Sequence, residues 1–191
     1  MTDIVHPGAG VLFMKVGTHA SEPLEQIIAR KQAEIDGAGY ALWGYGGNTC
    51  HPVTMVQPFA RDFELRGETI HLCMKPMTSN HFAAQERAVE CSPNGIDWEV
   101  IPSAINVLGS RFALAIDGLR LEEFALPLAQ TRVAVGKSLG RRGDEYVKGR
   151  VDKGCLEVVD AADDTVAEDL DSVEIGLVAR LIEPYAVFLR N

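Results

Sequence analysis

Val11-Leu12-Phe13-Met14-Lys15-Val16-Gly17 is apolar at nearly every position. A strand with one face in water alternates apolar and polar residues, so an unbroken apolar run belongs to a strand covered on both faces. The rest of the chain must supply those two covers. Lys15 interrupts the run. Its ammonium must reach water at the strand end or meet a partner, because an unpaired buried charge is costly.

The segment after this strand reads as a helix. Ser21 suits an N-cap, Glu22 and Glu25 suit the positive end of the helix dipole, and Pro23 is tolerated in the first turn. Leu24, Ile27, Ile28 and Ile35 recur at helical spacing, with Lys31 on the margin of that face. Gly37 and Gly39 end it. Residues 40–45 form a second strand. A helix capped by Thr54 over 54–66 then places Pro58 in its first turn and Val56, Phe59, Ala60 and Phe63 inward. Residues 68–75 make a third strand. In such a unit each helix can serve as a crossover between parallel strands.

After Pro76 the texture changes. Residues 77–81 read as a polar loop, followed by a short helix over 81–87. Ser92-Pro93-Asn94-Gly95 between 88–91 and 96–100 signals a hairpin. Strands are expected near 111–116, 120–126, 131–137, 145–150 and 155–159, separated by turns such as Asp117-Gly118 and Lys153-Gly154. An apolar pattern within 174–189 gives a final strand. Residues 160–171 hold six carboxylates and read as a solvated acidic loop. The fold class is therefore α+β: an N-terminal β-α-β-α-β unit followed by an antiparallel β-rich meander or partly closed barrel. The 191 residues suit a single domain, with an α/β-like part at 1–80 and a β-rich part at 81–191. Many short strands leave edges that a second copy could pair, so a homodimer is an expectation.

A formal net charge of −9 disfavours nucleic acid and anionic membranes as partners, since both are polyanions. No apolar run is long enough for a transmembrane helix, and the first residues lack the basic and apolar regions of a secretory signal. A cytoplasmic location with reduced thiols is the matching expectation. The four cysteines are scattered without a C-x-x-C pair, and the histidines lack metal spacing, so no metal site is expected.

Residues 40–52 gather the most chemistry. Strand residues Trp43 and Tyr45 alternate with Gly44 and Gly46, and Gly47, Asn48, Thr49, Cys50, His51 and Pro52 follow. A strand feeding a glycine-rich turn and then a helix start can aim backbone N–H groups at an anion. Trp43 or Tyr45 could stack on a flat ligand. Lys15, at the end of the first strand, could neutralise the anion. The expected ligand is a phosphate-bearing or nucleotide-like small molecule held by Lys15, Trp43, Tyr45, Gly46, Gly47, Asn48 and Thr49.

Two alternatives stand beside it. In one, Cys50 is a nucleophile in a hydrolase or transferase, with catalytic candidates Cys50, His51 and His81, and with His71 or His81 brought in as base. In the other, the β-rich part is a non-catalytic module that meets a protein or nucleic acid through Arg141-Arg142 or the acidic run. No local acid–base pair assigns a reaction, and no motif assigns a cofactor.

Overall fold

The computed structural model describes residues 4–46, 52–81, 84–147, 151–160 and 171–191, with only the backbone described at Asn80 and His81. The elements in chain order are β1 (Gly10–His19), α1 (Leu24–Ala38), β2 (Ala41–Gly44), α2 (Val53–Leu65), β3 (His71–His81), β4 (Glu90–Ser92), β5 (Glu99–Val100), β6 (Phe112–Pro127), β7 (Thr131–Val133), α3 (Gly143–Val147), β8 (Lys153–Val158) and β9 (Ser172–Arg190). The α+β class is seen directly. Among the described residues, three helices accompany a mostly antiparallel sheet of nine strands that is not closed into a barrel.

The path through the sheet is β2-β6-β9-β3-β1-β8-β7, with β4 attached to β9 and β5 attached to β4. The expected parallel crossover exists once, where β1 lies beside β3 with Val11 opposite His71. β2 does not join them. It pairs antiparallel with β6, Ala41 opposite Ile116, because β9 and β6 occupy the places between β3 and β2. A strand-helix-strand order limits which strands can be neighbours without choosing them. Here β9, 19 residues long, supplies the longer partner for β3.

β1 is covered on both sides. Leu12, Met14 and Val16 join one buried cluster with Trp43 of β2, Val56, Phe59 and Phe63 of α2, and Leu72 of β3. Val11 and Phe13 point the other way, into a cluster with Leu126, Leu156, Val173 and Val147 of α3. Full burial of a side chain such as Phe63 contributes about 1.5–3 kcal/mol. A third cluster packs Ile101, Ile105 and Val107, which precede β6, against Leu42, Ala113 and Val187.

Several expectations are corrected. Ser21 does not cap α1; Ala20 and Ser21 both have positive φ (50° and 63°). They form a tight turn in which His19 and Glu22 exchange backbone hydrogen bonds, the geometry of a two-residue hairpin turn. The helix then starts at Leu24 with Pro23 at its N-cap. α2 starts at Val53, so Pro58 lies inside it rather than in a first turn set by Thr54.

Residues 77–81 are strand, not loop. β3 runs on to His81, and Thr18 and His19 of β1 take up its backbone groups beyond a bulge. Residues 84–87 are not helical; Arg87 instead makes an isolated bridge to Leu108. Asp117-Gly118 does not separate two strands, because β6 passes through it with a shift in register and Gly118 at φ 57°. β7 stops at Val133, short of the expected 137, where a 3-10 turn follows. The strand expected from 145 is the short helix α3, and residues 148–150 lie outside the described set, as do 161–170 of the acidic run. The hairpin at 92–95 is present, closed by Asn94 and Ser92 side chains on the backbone N–H groups of Gly95, Ile96 and Asp97. Among the described residues no helix is long and apolar enough to cross a membrane.

Candidate functional site

Where β1 and β3 overhang the sheet, they face the end of β2 and residues 106–112. Between them lies a cavity of about 610 Å³. Its floor is apolar, with Met14, Val16, Ile27, Trp43, Leu108 and Phe112 among its lining. Two glycines keep the walls close. A Cβ on Gly17 would collide with the Ser79 hydroxyl and come within 2.7 Å of the Met77 carbonyl, and a Cβ on Gly44 would sit 2.6 Å from Ser110 Oγ. Neither glycine has positive φ, so their value is close approach rather than conformational freedom.

One wall is an ionic lattice on α1. Lys31 and Glu34 are 2% and 4% exposed. Lys31 Nζ donates to Glu34 Oε2 at 2.9 Å and to the Asn106 carbonyl at 2.5 Å. Glu34 Oε1 accepts from the Asn106 N–H at 3.0 Å and from Arg30 Nη1 at 3.2 Å. Arg30 also donates to the Asn106 carbonyl at 2.6 Å and grips both oxygens of Glu22. Those hydrogen bonds hold the Glu22 carboxyl below its usual range. Asn106 Oδ1 accepts from Arg87 Nε. Asn106 is thus clamped from four sides, and the loop that leads into β6 is fixed against α1. Burial pushes the Lys31 ammonium down to about 8, with Glu34 opposing that effect. The helical spacing puts Lys31 on the margin of α1; its buried position is a correction, made possible by the carboxylate one turn further on.

The lining also carries the cations Lys15, Arg111 and Lys153. Lys15 Nζ lies 3.4 Å from Asp152 Oδ1, with the Lys15 side chain 21% exposed. Lys153 donates to the Gly46 carbonyl and sits 4.7 Å from the Tyr45 ring centroid. Arg111 lines the cavity next to Phe112. Among the described residues its side chain has no hydrogen bond and no carboxylate partner. Most other arginines here are engaged: Arg30 with Glu22, Arg66 with Glu157, Arg142 with Asp144, Arg180 with Asp117 and Arg190 with Glu90.

Arg30 and Lys31 are balanced by Glu22 and Glu34. Lys15 faces Asp152, which leaves the Arg111 guanidinium on the lining without a carboxylate partner among the described residues, in a chain of formal net charge −9. His19 is also on the lining, with Nε2 2.9 Å from the Leu108 carbonyl and 3.4 Å from Ser110 Oγ. The carbonyl contact places a proton on Nε2, so that nitrogen is not a base toward Ser110.

Of the residues named from the sequence, Lys15, Trp43 and Gly46 line this one cavity. Tyr45 is fully buried beneath Lys153. β1 and β2 are not neighbours in the sheet, and Lys153 of β8, opposite Met14 of β1, is the lysine that reaches the Gly46 carbonyl. Gly47, Asn48, Thr49, Cys50 and His51 lie outside the described residues. His81 is the last residue of β3 and pairs through its backbone with His19. His71 starts the same strand, about 30 Å away along an extended chain, so β3 holds the two histidines at opposite ends. Burial lowers the His71 imidazole from its usual range.

Cys73 and Cys155 are completely buried, and burial pushes both thiols up. Arg141 and Arg142 are not at a hairpin tip and are paired with Glu145 and Asp144. Sequence reasoning missed Arg30, Lys31, Arg111 and Lys153. The one local signal was a lysine and a glutamate three residues apart, at spacing that lets them meet on one side of α1. Among the described residues no group of His, Cys, Asp and Glu could hold a metal ion. No known protein family, curated protein or solved structure matches this chain.

Proposed function

We propose that this protein binds a small anionic, phosphate-bearing molecule in the cavity between β1, the end of β2 and residues 106–112. The observation that carries the reading is Arg111: a guanidinium without a partner among the described residues, on the lining of a cavity that also presents Lys15 and Lys153. A guanidinium offers a planar fork that matches two oxygens of a phosphate or carboxylate. The apolar floor with Trp43 supports a ligand that has a body as well as a charge. The acidic balance of the protein as a whole supports a compact ligand over a polyanion.

Titration calorimetry with ribose 5-phosphate tests this. The wild type should bind with a Kd tighter than about 1 mM. A hydrogen bond to a charged group contributes about 1.5–3 kcal/mol, so Arg111→Gln should weaken binding roughly 10- to 150-fold. Failure of ribose 5-phosphate and inorganic phosphate alike to bind the wild type overturns the reading. So does an Arg111→Gln variant that binds as well as the wild type.

A further inference from the structure

A second cavity, of about 350 Å³, also has Arg111 on its lining. Ser110, Arg111 and Phe112 line both cavities, so one three-residue segment belongs to both. Backbone hydrogen bonds hold that segment. The Phe112 carbonyl accepts from the Tyr45 N–H at 2.9 Å, and the Arg111 carbonyl accepts from the Leu189 N–H at 2.8 Å. The segment is thereby held to Tyr45, just after β2, and to Leu189 of β9.

The second cavity differs in chemistry from the first. Three aromatic rings line it: Trp98, Phe112 and Phe188, each half-buried. Phe112 and Phe188 meet edge to face, centroids 5.6 Å apart. The Arg190 guanidinium lies 4.2 Å from the Trp98 ring centroid and is itself paired with Glu90 at 2.5 Å. This pairing anchors Trp98 from one side. Aromatic surface held in place and left half open to water is stabilised when a flat ring covers it.

We infer that the two cavities form one site for a two-part ligand, with the acidic group at Arg111 and Lys15 and a planar, nucleobase-like ring on Trp98, Phe112 and Phe188. This rests on the phosphate reading above and adds the class of group attached to the phosphate. Arg111 is the residue that links the two halves. Arg111 and Phe112 are neighbours on both linings, so a charged group and a ring carried by one small ligand can meet adjacent residues.

The test compares ribose 5-phosphate with the four nucleoside 5′-monophosphates by calorimetry. Stacking a base on an aromatic side chain is worth about 1–3 kcal/mol, so at least one nucleotide should bind roughly 5- to 150-fold more tightly than ribose 5-phosphate. Trp98→Leu and Phe188→Leu should each reduce that gain and leave ribose 5-phosphate affinity unchanged. Unchanged affinity for ribose 5-phosphate also shows that each variant is folded. If ribose 5-phosphate binds and no base adds affinity, the two-part site is wrong while the phosphate reading stands. The two-part site is equally wrong if the gain survives in both variants. If neither ribose 5-phosphate nor any nucleotide binds, both readings fall.

Discussion

Lys31 ties the stability of the cavity wall to pH, and the sign follows from its surroundings. Its folded-state value is lowered from 10.5 to about 8, chiefly by burial, against attraction from Glu34 and Glu22 and with repulsion from Arg30. Between about 8 and 10.5 the unfolded chain therefore binds a proton that the folded chain has released. Stability from this group rises with pH across that window, because the unfolded state holds more protons there. At about 1.4 kcal/mol per pH unit, the full effect is about 3 kcal/mol.

Cys73 and Cys155 act oppositely. Their folded values are raised above the ordinary 9.0, so their contribution is present below that value and is lost as pH rises past it. The measurement must therefore be a difference. Urea unfolding of wild type and Lys31→Met at pH 7, 8, 9 and 10 leaves the cysteines common to both proteins. The stability of the wild type relative to Lys31→Met should increase by about 2–3 kcal/mol from pH 7 to pH 10. A difference that stays flat over this range would refute the reasoning, since it would mean that folding costs Lys31 nothing in hydration.

Two further outcomes are expected. Gly44→Ala places a Cβ 2.6 Å from Ser110 Oγ; thermal unfolding should show a loss of about 1–3 kcal/mol, the usual cost of overpacking, and Gly44→Ala/Ser110→Gly should recover most of it. Alkylation of the native protein at neutral pH, read by mass spectrometry, should leave Cys73 and Cys155 unmodified, since both are 0% exposed and burial disfavours their thiolates. Cys91, half-buried with a raised thiol value, should react more slowly than free cysteine. Labelling faster than free cysteine at Cys50 would support a nucleophile there, and a rate no faster would remove that alternative.

Local patterning determined much of the element order. The apolar run at Val11–Val16 became a strand with Leu12 and Met14 in one cluster and Val11 and Phe13 in another. Phe59, Ala60 and Phe63 took the inner face of α2, and the Asn94-Gly95 turn closed a hairpin. These features depend on side-chain period and turn chemistry within a few residues, which a sequence displays directly. Where propensity misled, a distant partner prevailed. Residues 77–81 look polar, yet they are strand because β1 offers Thr18 and His19 to pair with them. The positions from 145 look like a strand, yet helix α3 buries Val147 in a cluster with Val133 and Leu156.

The cavity shows the same division. Its sequence-visible part is Lys15, Trp43 and Gly46, picked out by a charge in an apolar strand and by glycines beside aromatics. Lys153 and Arg111 come from positions 107 and 67 residues beyond Gly46 and Gly44, and only the pairing of β8 with β1 and of β6 with β2 carries them to the same opening. Lys31 is tolerated inside because Glu34 and the Asn106 carbonyl meet it there. Whether a charge is exposed, paired or left facing a ligand depends on groups far away in the chain. The sequence by itself determined where strands and helices could form; tertiary structure decided which charges were neutralised and which remained on the cavity.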